Sequence, residues 1–295
     1  MARNNDKVLL VIVIITIASV ISQAVNEPEA CTDCYKVEQI CHTINYLFDL
    51  EAPFRESIVI TKLDVLRSTN TLFFTFEPNV TDREYKKVGF INIDDPRNTS
   101  IISGGHQTLN FGTFALDQDN SLVYLGGSDG IYVLDTKSNR VAPYSSRGDT
   151  VLSLFYKGHV YFVRFGEQKI IKKKGDNFDV IIEHIPVRNF VINKDYEIVF
   201  TSTYGLYVAR RDETYWLSKN AYFRGLVIDL DDNVYAWWID GIYKVTIEKQ
   251  LAKSRVEIVA KIEGLNALTF DNDNNFLFAS GKSVYRLINA NTTNC

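Results

Sequence analysis

Arginine, asparagine and aromatic residues occur in the short polar segments that separate the apolar runs of this chain. Such a mixture suits a planar anionic ligand, because aromatic rings stack on a planar molecule and guanidinium groups pair with carboxylates. The residues that we expect at a ligand site are His106, Asn110, Phe111, Arg147, Phe165, Arg188, Asn189, Tyr204, Tyr222, Arg224, Trp238 and Asn266. The structural alternative is that Trp237 or Trp238 packs inside the fold and that the arginines form surface ion pairs.

Signatures of catalysis are sparse. The chain has no His-Glu-x-x-His motif and no phosphate-binding loop, and its four histidines are scattered. We therefore predict no catalytic residues, no cofactor and no enzyme activity.

Acidic turns recur along the sequence. They carry the pairs Asp117/Asp119, Asp229/Asp231 and Asp271/Asp273. Paired carboxylates could bind calcium, but these pairs occur at the same point of successive similar segments. That recurrence favours side chains that hydrogen-bond to the turn backbone, and we predict no metal site.

These turns belong to a repeated unit. Each unit has an apolar strand, an Asp- or Asn-rich turn, a middle strand and a third strand, and most have a more polar fourth strand. The middle strands are predicted to begin at Leu72, Leu122, Val160, Ile198, Val234 and Phe276. Six four-stranded units of about 40 residues predict an all-β, six-bladed β-propeller over 58–295. A β-sandwich is the alternative, but it does not account for the repeated turn.

The two ends of the chain are expected to close the ring. The sixth unit stops at Ile288 after three strands. We therefore predict that the segment 25–57, and within it Tyr35 to Tyr46, adds the missing outer strand. In a propeller, the segments that enter the inner strands and the hairpins after the middle strands lie at one end of the axis. The predicted ligand residues come from these two positions, so they predict one axial mouth.

Residues 1–24 are typical of a signal peptide, with a polar basic start, an apolar run from Val8 to Ile21 and small residues before a cleavage site after Ala24. The alternative, a membrane anchor, needs about 20 apolar residues, more than this run contains. The formal net charge of −4 gives no general attraction to nucleic acid or to an anionic membrane. We predict a secreted, extracellular protein with neither partner.

Cysteines and glycosylation motifs agree with secretion. Four cysteines in an oxidising compartment predict two disulfides, and every possible pairing links the C terminus to the N-terminal cluster. The cysteines are Cys31, Cys34, Cys41 and Cys295. Three Asn-x-Ser/Thr acceptors are also present, at Asn79, Asn98 and Asn291.

Some segments carry a family resemblance. They are the Cys31-Thr32-Asp33-Cys34 start, the segment Asn70-Thr71-Leu72-Phe73-Phe74 and the segment Leu125-Gly126-Gly127-Ser128-Asp129-Gly130-Ile131-Tyr132. With the signal peptide, they make the chain resemble the ommochrome-binding proteins of Lepidoptera, which are secreted insect pigment carriers. The resemblance covers most of the mature chain. It implies a haemolymph protein, expected to be monomeric, that binds a planar, tryptophan-derived phenoxazinone pigment such as xanthommatin.

The repeats are similar, more distantly, to six-bladed propellers of the gluconolactonase and paraoxonase type. Those enzymes hold an axial calcium ion with Glu, Asn and Asp side chains. Asn110, Asn189 and Asn266 could supply part of that set, but no Glu begins an inner strand at a matching place. A calcium-dependent hydrolase and a protein-binding propeller are therefore the alternatives to a pigment carrier.

Overall fold

The computed structural model describes residues 35–38, 40–50, 59–77, 87–97, 99–102 and 110–290. Within these ranges the chain forms β-strands and two single-turn 3-10 helices, Arg67–Thr69 and Leu251–Lys253. The strands assemble into six sheets, each antiparallel. No helix in the described ranges is long and apolar enough to span a membrane. The predicted signal peptide and the three glycosylation sites lie outside the described residues.

Six blades follow one another along the chain, preceded by two N-terminal strands. The N-terminal strands are β1 (Tyr35–Val37) and β2 (Ile40–Asp49). Blade 1 contains β3 (Val59–Leu66), β4 (Thr71–Glu77), β5 (Lys87–Asn92) and β6 (Ser100–Ile101). Blade 2 contains β7 (Phe111–Asp117), β8 (Leu122–Gly127), β9 (Gly130–Asp135) and β10 (Arg140–Ser145). Blade 3 contains β11 (Val151–Tyr156), β12 (Val160–Arg164), β13 (Ile170–Lys174) and β14 (Asn177–Ile182).

The remaining blades continue the pattern. Blade 4 contains β15 (Asn189–Ile192), β16 (Ile198–Ser202), β17 (Gly205–Arg210) and β18 (Glu213–Ser218). Blade 5 contains β19 (Gly225–Ile228), β20 (Val234–Trp238), β21 (Gly241–Thr246) and β22 (Arg255–Ala260). Blade 6 contains β23 (Leu265–Phe270), β24 (Phe276–Ser280) and β25 (Ser283–Asn289). The predicted six-bladed propeller is therefore confirmed.

The N-terminal segment completes blade 6. The strand order in this sheet is β1-β2-β25-β24-β23, and β2 runs antiparallel to β25 from the pair His42 and Asn289 to the pair Asp49 and Ser283. The predicted closure of the ring is thus confirmed, with a fifth strand, β1, folded back on β2. Cys41 is buried in β2. The other three cysteines lie outside the described residues, so the disulfide pairing remains a prediction.

The core consists of six apolar layers, one between each pair of neighbouring blades. Both faces of a middle strand are covered by adjacent blades, so these strands are apolar throughout rather than alternating. All five residues of β16 are buried, for example, whereas β14 at the outer edge of blade 3 is almost wholly exposed. The inner strands contact one another around the axis, β23 against β3 included.

Because neighbouring strands of a blade are antiparallel, successive loops lie alternately at the two ends of the propeller axis. One end, which we call the mouth, has the segments that enter the inner strands and the hairpins between second and third strands. The other end, which we call the turn end, has the hairpins between first and second strands.

Candidate functional site

Aromatic side chains are exposed at the mouth of blades 3, 4 and 5. Phe165 and Tyr204 lie in the second hairpins of blades 3 and 4, and Tyr222 precedes β19; they are 71%, 59% and 71% exposed. Tyr222 stacks on the half-buried Trp238, with ring centroids 5.7 Å apart and planes inclined by 20°. Because neighbouring residues of a strand point to opposite faces, Trp237 is turned into the core while Trp238 reaches this surface. The stacked pair offers an aromatic surface to a planar molecule.

Two arginines border the stacked pair. Arg188 Nη1 donates a hydrogen bond to the carbonyl oxygen of Ala221 (3.3 Å), next to Tyr222. Arg224 Nη1 donates to the carbonyl oxygen of Leu265 (3.4 Å) across the boundary with blade 6. Both guanidinium groups are anchored by neutral carbonyls through one nitrogen, which leaves further N–H donors for an anionic group.

Arg147 differs from these two arginines because it belongs to a closed charge network. Its Nη2 lies 2.7 Å from Asp129 Oδ2, and Asp129 also accepts hydrogen bonds from the hydroxyl of Tyr132 (2.8 Å) and the amide of Gly148 (2.9 Å). The hydrogen bond from Tyr132, with those from Gly148 and Arg147, lowers the pKa of Asp129. This network ties the second hairpin of blade 2 to the loop that enters blade 3, so Arg147 already has an anionic partner.

The remaining predicted residues are distributed between mouth, core and axis. Phe111 is buried, with its ring edge-on to Tyr132 at 5.6 Å, so it packs in the core rather than at the surface of the mouth. Asn110 Oδ1 is also buried and has no hydrogen-bond partner among the described residues. Asn189 faces the axis. His106 lies outside the described residues.

Asn266, one of the three mouth asparagines, is already engaged within its own blade. Asn266 Oδ1 accepts the amide hydrogen of Gly281 (3.0 Å), so this oxygen already stabilises the hairpin of blade 6. Within the described residues no three His, Cys, Asp or Glu side chains are grouped as metal ligands.

The acidic turns at the turn end hold their own backbone, as predicted. Asp229 Oδ1 accepts the amides of Asp231 (2.9 Å) and Asn233 (2.7 Å), and its Oδ2 accepts the side-chain amide of Asn233 (2.8 Å). The same three bonds recur around Asp271, and a looser version around Asp117. These carboxylates therefore stabilise first hairpins.

One segment matches a catalytic sequence motif but does not have the structure that this motif requires. Residues 126–130 match Gly-x-Ser-x-Gly, which in hydrolases places the serine on a sharp turn between a strand and a helix. Here Ser128 lies in the hairpin between the antiparallel strands β8 and β9. The segment serves as a β-hairpin turn.

An axial cavity of about 350 Å³, for which we made no prediction from the sequence, lies inside the ring. Residues of β3, β7, β11, β15 and β19 line it, and it extends to the turn end at Arg67, Gln118 and Asp232. At its mouth end lies Trp237, whose ring fits over Gly225: a Cβ added to this glycine would lie 2.2 Å from Trp237 Cη2. Trp237 thus lines the cavity, whereas its neighbour Trp238 belongs to the aromatic surface of the mouth.

Two ionisable side chains face this cavity from β3, namely Lys62 and Asp64. Lys62 Nζ donates to the carbonyl oxygens of Phe114 (2.6 Å) and Leu154 (3.4 Å) in the inner strands of blades 2 and 3. Burial lowers the pKa of Lys62 to about 8. Burial also raises the pKa of Asp64, against the opposing effect of Lys62. A sequence signal was present, because β3 is the inner strand with two charged residues at alternating positions within its apolar run.

Known proteins resemble this chain in sequence and, separately, in fold. No family model matches it. In sequence, it is similar to the ommochrome-binding protein of Manduca sexta, with 23% identity over 234 residues that cover 74% of this chain and 80% of that protein.

Solved structures similar to this chain include gluconolactonases. One, from Xanthomonas campestris, has a TM-score of 0.62 at 12% identity, covering 87% of this chain and 94% of the other. A putative gluconolactonase gives 0.57 at 10% identity, covering 88% and 94%. At these identities the likeness concerns the fold and not the activity.

Proposed function

We propose that this protein is a secreted carrier that binds an ommochrome pigment at the mouth of the propeller, without chemical turnover. The ligand class is a planar phenoxazinone with carboxylate groups, such as xanthommatin. The observation that carries the proposal is the exposed Tyr222 and Trp238 stack, flanked by Arg188 and Arg224, in a chain similar to an ommochrome-binding protein.

The geometry of the mouth supports this ligand class. A planar ring system laid against Tyr222 extends an existing stack, and each aromatic pair of this kind contributes about 0.5–1.5 kcal/mol beyond the buried area. Carboxylates on the pigment then pair with the donors that Arg188 and Arg224 have in excess. Phe165 and Tyr204, on the hairpins of the two preceding blades, supply further aromatic surface for a ligand larger than one ring system.

The extracellular destination is part of the same proposal. Cleavage after Ala24 releases the mature chain, the four cysteines form two disulfides, and the three acceptor asparagines carry glycans. The carrier acts as a monomer, because one mouth contains the complete set of stacking and pairing groups.

A titration with the pigment tests the proposal. The secreted, disulfide-intact protein is titrated with oxidised xanthommatin while visible absorbance and tryptophan fluorescence are followed together. We expect both signals to saturate at one pigment per chain, because Trp238 lies in the contact surface. The absence of a saturable change in either signal contradicts the proposal, as does metal-dependent hydrolysis of a lactone substrate.

A further inference from the structure

The axial cavity has a composition that differs from that of the mouth. Its walls combine charged and polar side chains with apolar and aromatic ones, the latter including Leu154, Phe155, Phe190 and Trp237. A volume of about 350 Å³ is within the range of small-molecule sites. The cavity reaches the turn end at Arg67, Gln118 and Asp232, which gives a small ligand a route of entry.

The two interior charges are opposite in sign and are not paired with each other. Lys62 and Asp64 are two residues apart on one strand, so both point to the same side, roughly 7 Å apart along the strand. The nearest recorded partners of Lys62 Nζ are two neutral carbonyl oxygens, on Phe114 and Leu154. Asp64 Oδ1 accepts the amide of Val65 (2.9 Å).

Each of these groups retains capacity for a charged partner. An ammonium has three N–H donors, and the two recorded acceptors of Lys62 are uncharged. A carboxylate has about four acceptor sites. A buried charge is costly unless it is paired, which is why burial shifts the pKa of both groups towards their neutral forms.

The cavity wall has four further charged residues, towards the turn end: Arg67, Lys157, Asp229 and Asp232. Asp229 is held by turn amides, as described above. Both carboxylate oxygens of Asp232 accept the amide hydrogen of Lys194, at 2.8 and 3.0 Å. Lys157 Nζ lies 6.0 Å from the centre of the Tyr196 ring. The charge of Arg67 acts to lower the pKa of Asp64. Lys62 and Asp64 are the charged cavity residues that belong to an inner strand.

We propose that the axial cavity is a second binding site, for a small aromatic zwitterion of the α-amino-acid type. The carboxylate of the ligand pairs with Lys62, its ammonium pairs with Asp64, and its ring contacts the apolar wall at Phe155 and Phe190. This arrangement neutralises both interior charges at once, which a simple anion or a simple cation does not do. The site is independent of pigment binding at the mouth.

Three related colourless probes test the proposal on the unmodified protein by isothermal titration calorimetry at pH 7. L-Phenylalanine carries both charges, 3-phenylpropionate only the carboxylate, and 2-phenylethylamine only the ammonium. We expect L-phenylalanine to bind one per chain and each truncated probe to bind at least about tenfold more weakly, since each leaves one interior charge unpaired. Three probes of equal affinity, or no saturable binding of L-phenylalanine at millimolar concentration, overturn the proposal.

Two variants locate the binding. Lys62→Met and Asp64→Asn are each expected to weaken L-phenylalanine binding at least about tenfold, while Lys174→Met on the exposed part of β13 leaves it unchanged. Lys62 also ties three inner strands together, so each variant is first checked for a native unfolding transition. If Lys62→Met does not fold, the probe series and Asp64→Asn decide the question. Unchanged binding in a folded Lys62→Met protein overturns the assignment.

Discussion

The two ends of the propeller axis use the same scaffold in opposite ways. At the turn end, three first hairpins repeat nearly the same hydrogen bonds around Asp117, Asp229 and Asp271. At the mouth, equivalent positions differ from blade to blade: Asp129 is held in a network with Arg147, whereas Tyr204 occupies the matching place in blade 4 and is exposed. Repetition thus marks residues that hold the fold, and departure from the repeat marks residues available for binding.

The same rule applies within the ring. Blade 1 is the only blade whose described inner strand has two charged residues, Lys62 and Asp64, at alternating positions within the strand. They interrupt a largely apolar strand, and they place one charge of each sign on the wall of the axial cavity.

Gly225→Val tests how closely the ring of Trp237 packs over Gly225 at the mouth end of the axial cavity. The added side chain would collide with the ring of Trp237, which lies 2.2 Å from the position of a Cβ. We expect a loss of about 3 kcal/mol in the free energy of unfolding, measured by urea denaturation. Ala142→Val on the exposed strand β10 is the matched control and should change stability by less than about 0.5 kcal/mol. Equal effects of the two changes would mean that the fit of Trp237 over Gly225 is not a constraint.

Lys62→Met tests how much the burial of the Lys62 ammonium lowers the free energy of unfolding. The pKa of Lys62 is about 8 in the folded protein and 10.5 as the ordinary value. At pH values between these two, the unfolded chain therefore binds more protons than the folded chain. Stability should therefore rise in wild type relative to Lys62→Met as the pH increases from 7 to 10, by about 2 kcal/mol. Urea unfolding at several pH values measures this difference.

The exposed Lys174→Met is the control, and its stability should follow the wild-type pH profile. Parallel profiles for wild type and Lys62→Met would contradict the burial of an ionisable amine in the cavity.

Arg224→Ala tests the pairing groups at the mouth. Loss of a charge-assisted contact to a pigment carboxylate should weaken pigment binding about tenfold, or about 1.4 kcal/mol, in the visible titration. Arg255→Ala removes an arginine from β22, where Glu248 and Glu257 already pair with it, and should leave pigment affinity unchanged. Equal pigment affinities in the two variants would show that Arg224 does not contact the pigment.

Tyr132→Phe and Tyr243→Phe test how much the same tyrosine–aspartate hydrogen bond stabilises two different hairpins. Both hydroxyls donate a 2.8 Å hydrogen bond to an aspartate three residues earlier, in two Asp-Gly-Ile-Tyr segments. In blade 2 the aspartate also binds Arg147 and Gly148, so Tyr132→Phe should cost about 1 kcal/mol of unfolding free energy and Tyr243→Phe less. The reverse order in urea unfolding would show that the network does not strengthen the hairpin.

The fold could be predicted from the sequence because its signal is repeated. Five middle strands begin at the predicted residue, and β4 begins one residue earlier than the predicted Leu72. The spare N-terminal segment and the incomplete sixth unit together predicted the closing strand. The fold-back of β1 was not predicted, because its three residues carry no turn motif that distinguishes them from β2.

The candidate site at the mouth could be predicted only in part, because its residues do not follow the repeat of the blades. Tyr222 and Trp238 were both named, and their stack joins a loop to a hairpin. Phe111 was named as well, but its position at the start of an inner strand does not reveal that its ring turns into the core. The axial cavity depends on how six inner strands enclose a space, which no single segment encodes.

The comparison of Trp238→Ala with Trp216→Ala in the pigment titration tests the central claim most directly. Trp216 is more exposed than Trp238 and is likewise stacked on a tyrosine, Tyr207, but it lies on the outermost strand of blade 4. A mouth site predicts at least about tenfold weaker pigment binding in Trp238→Ala and wild-type binding in Trp216→Ala. Wild-type affinity in both variants would contradict a pigment site at the mouth.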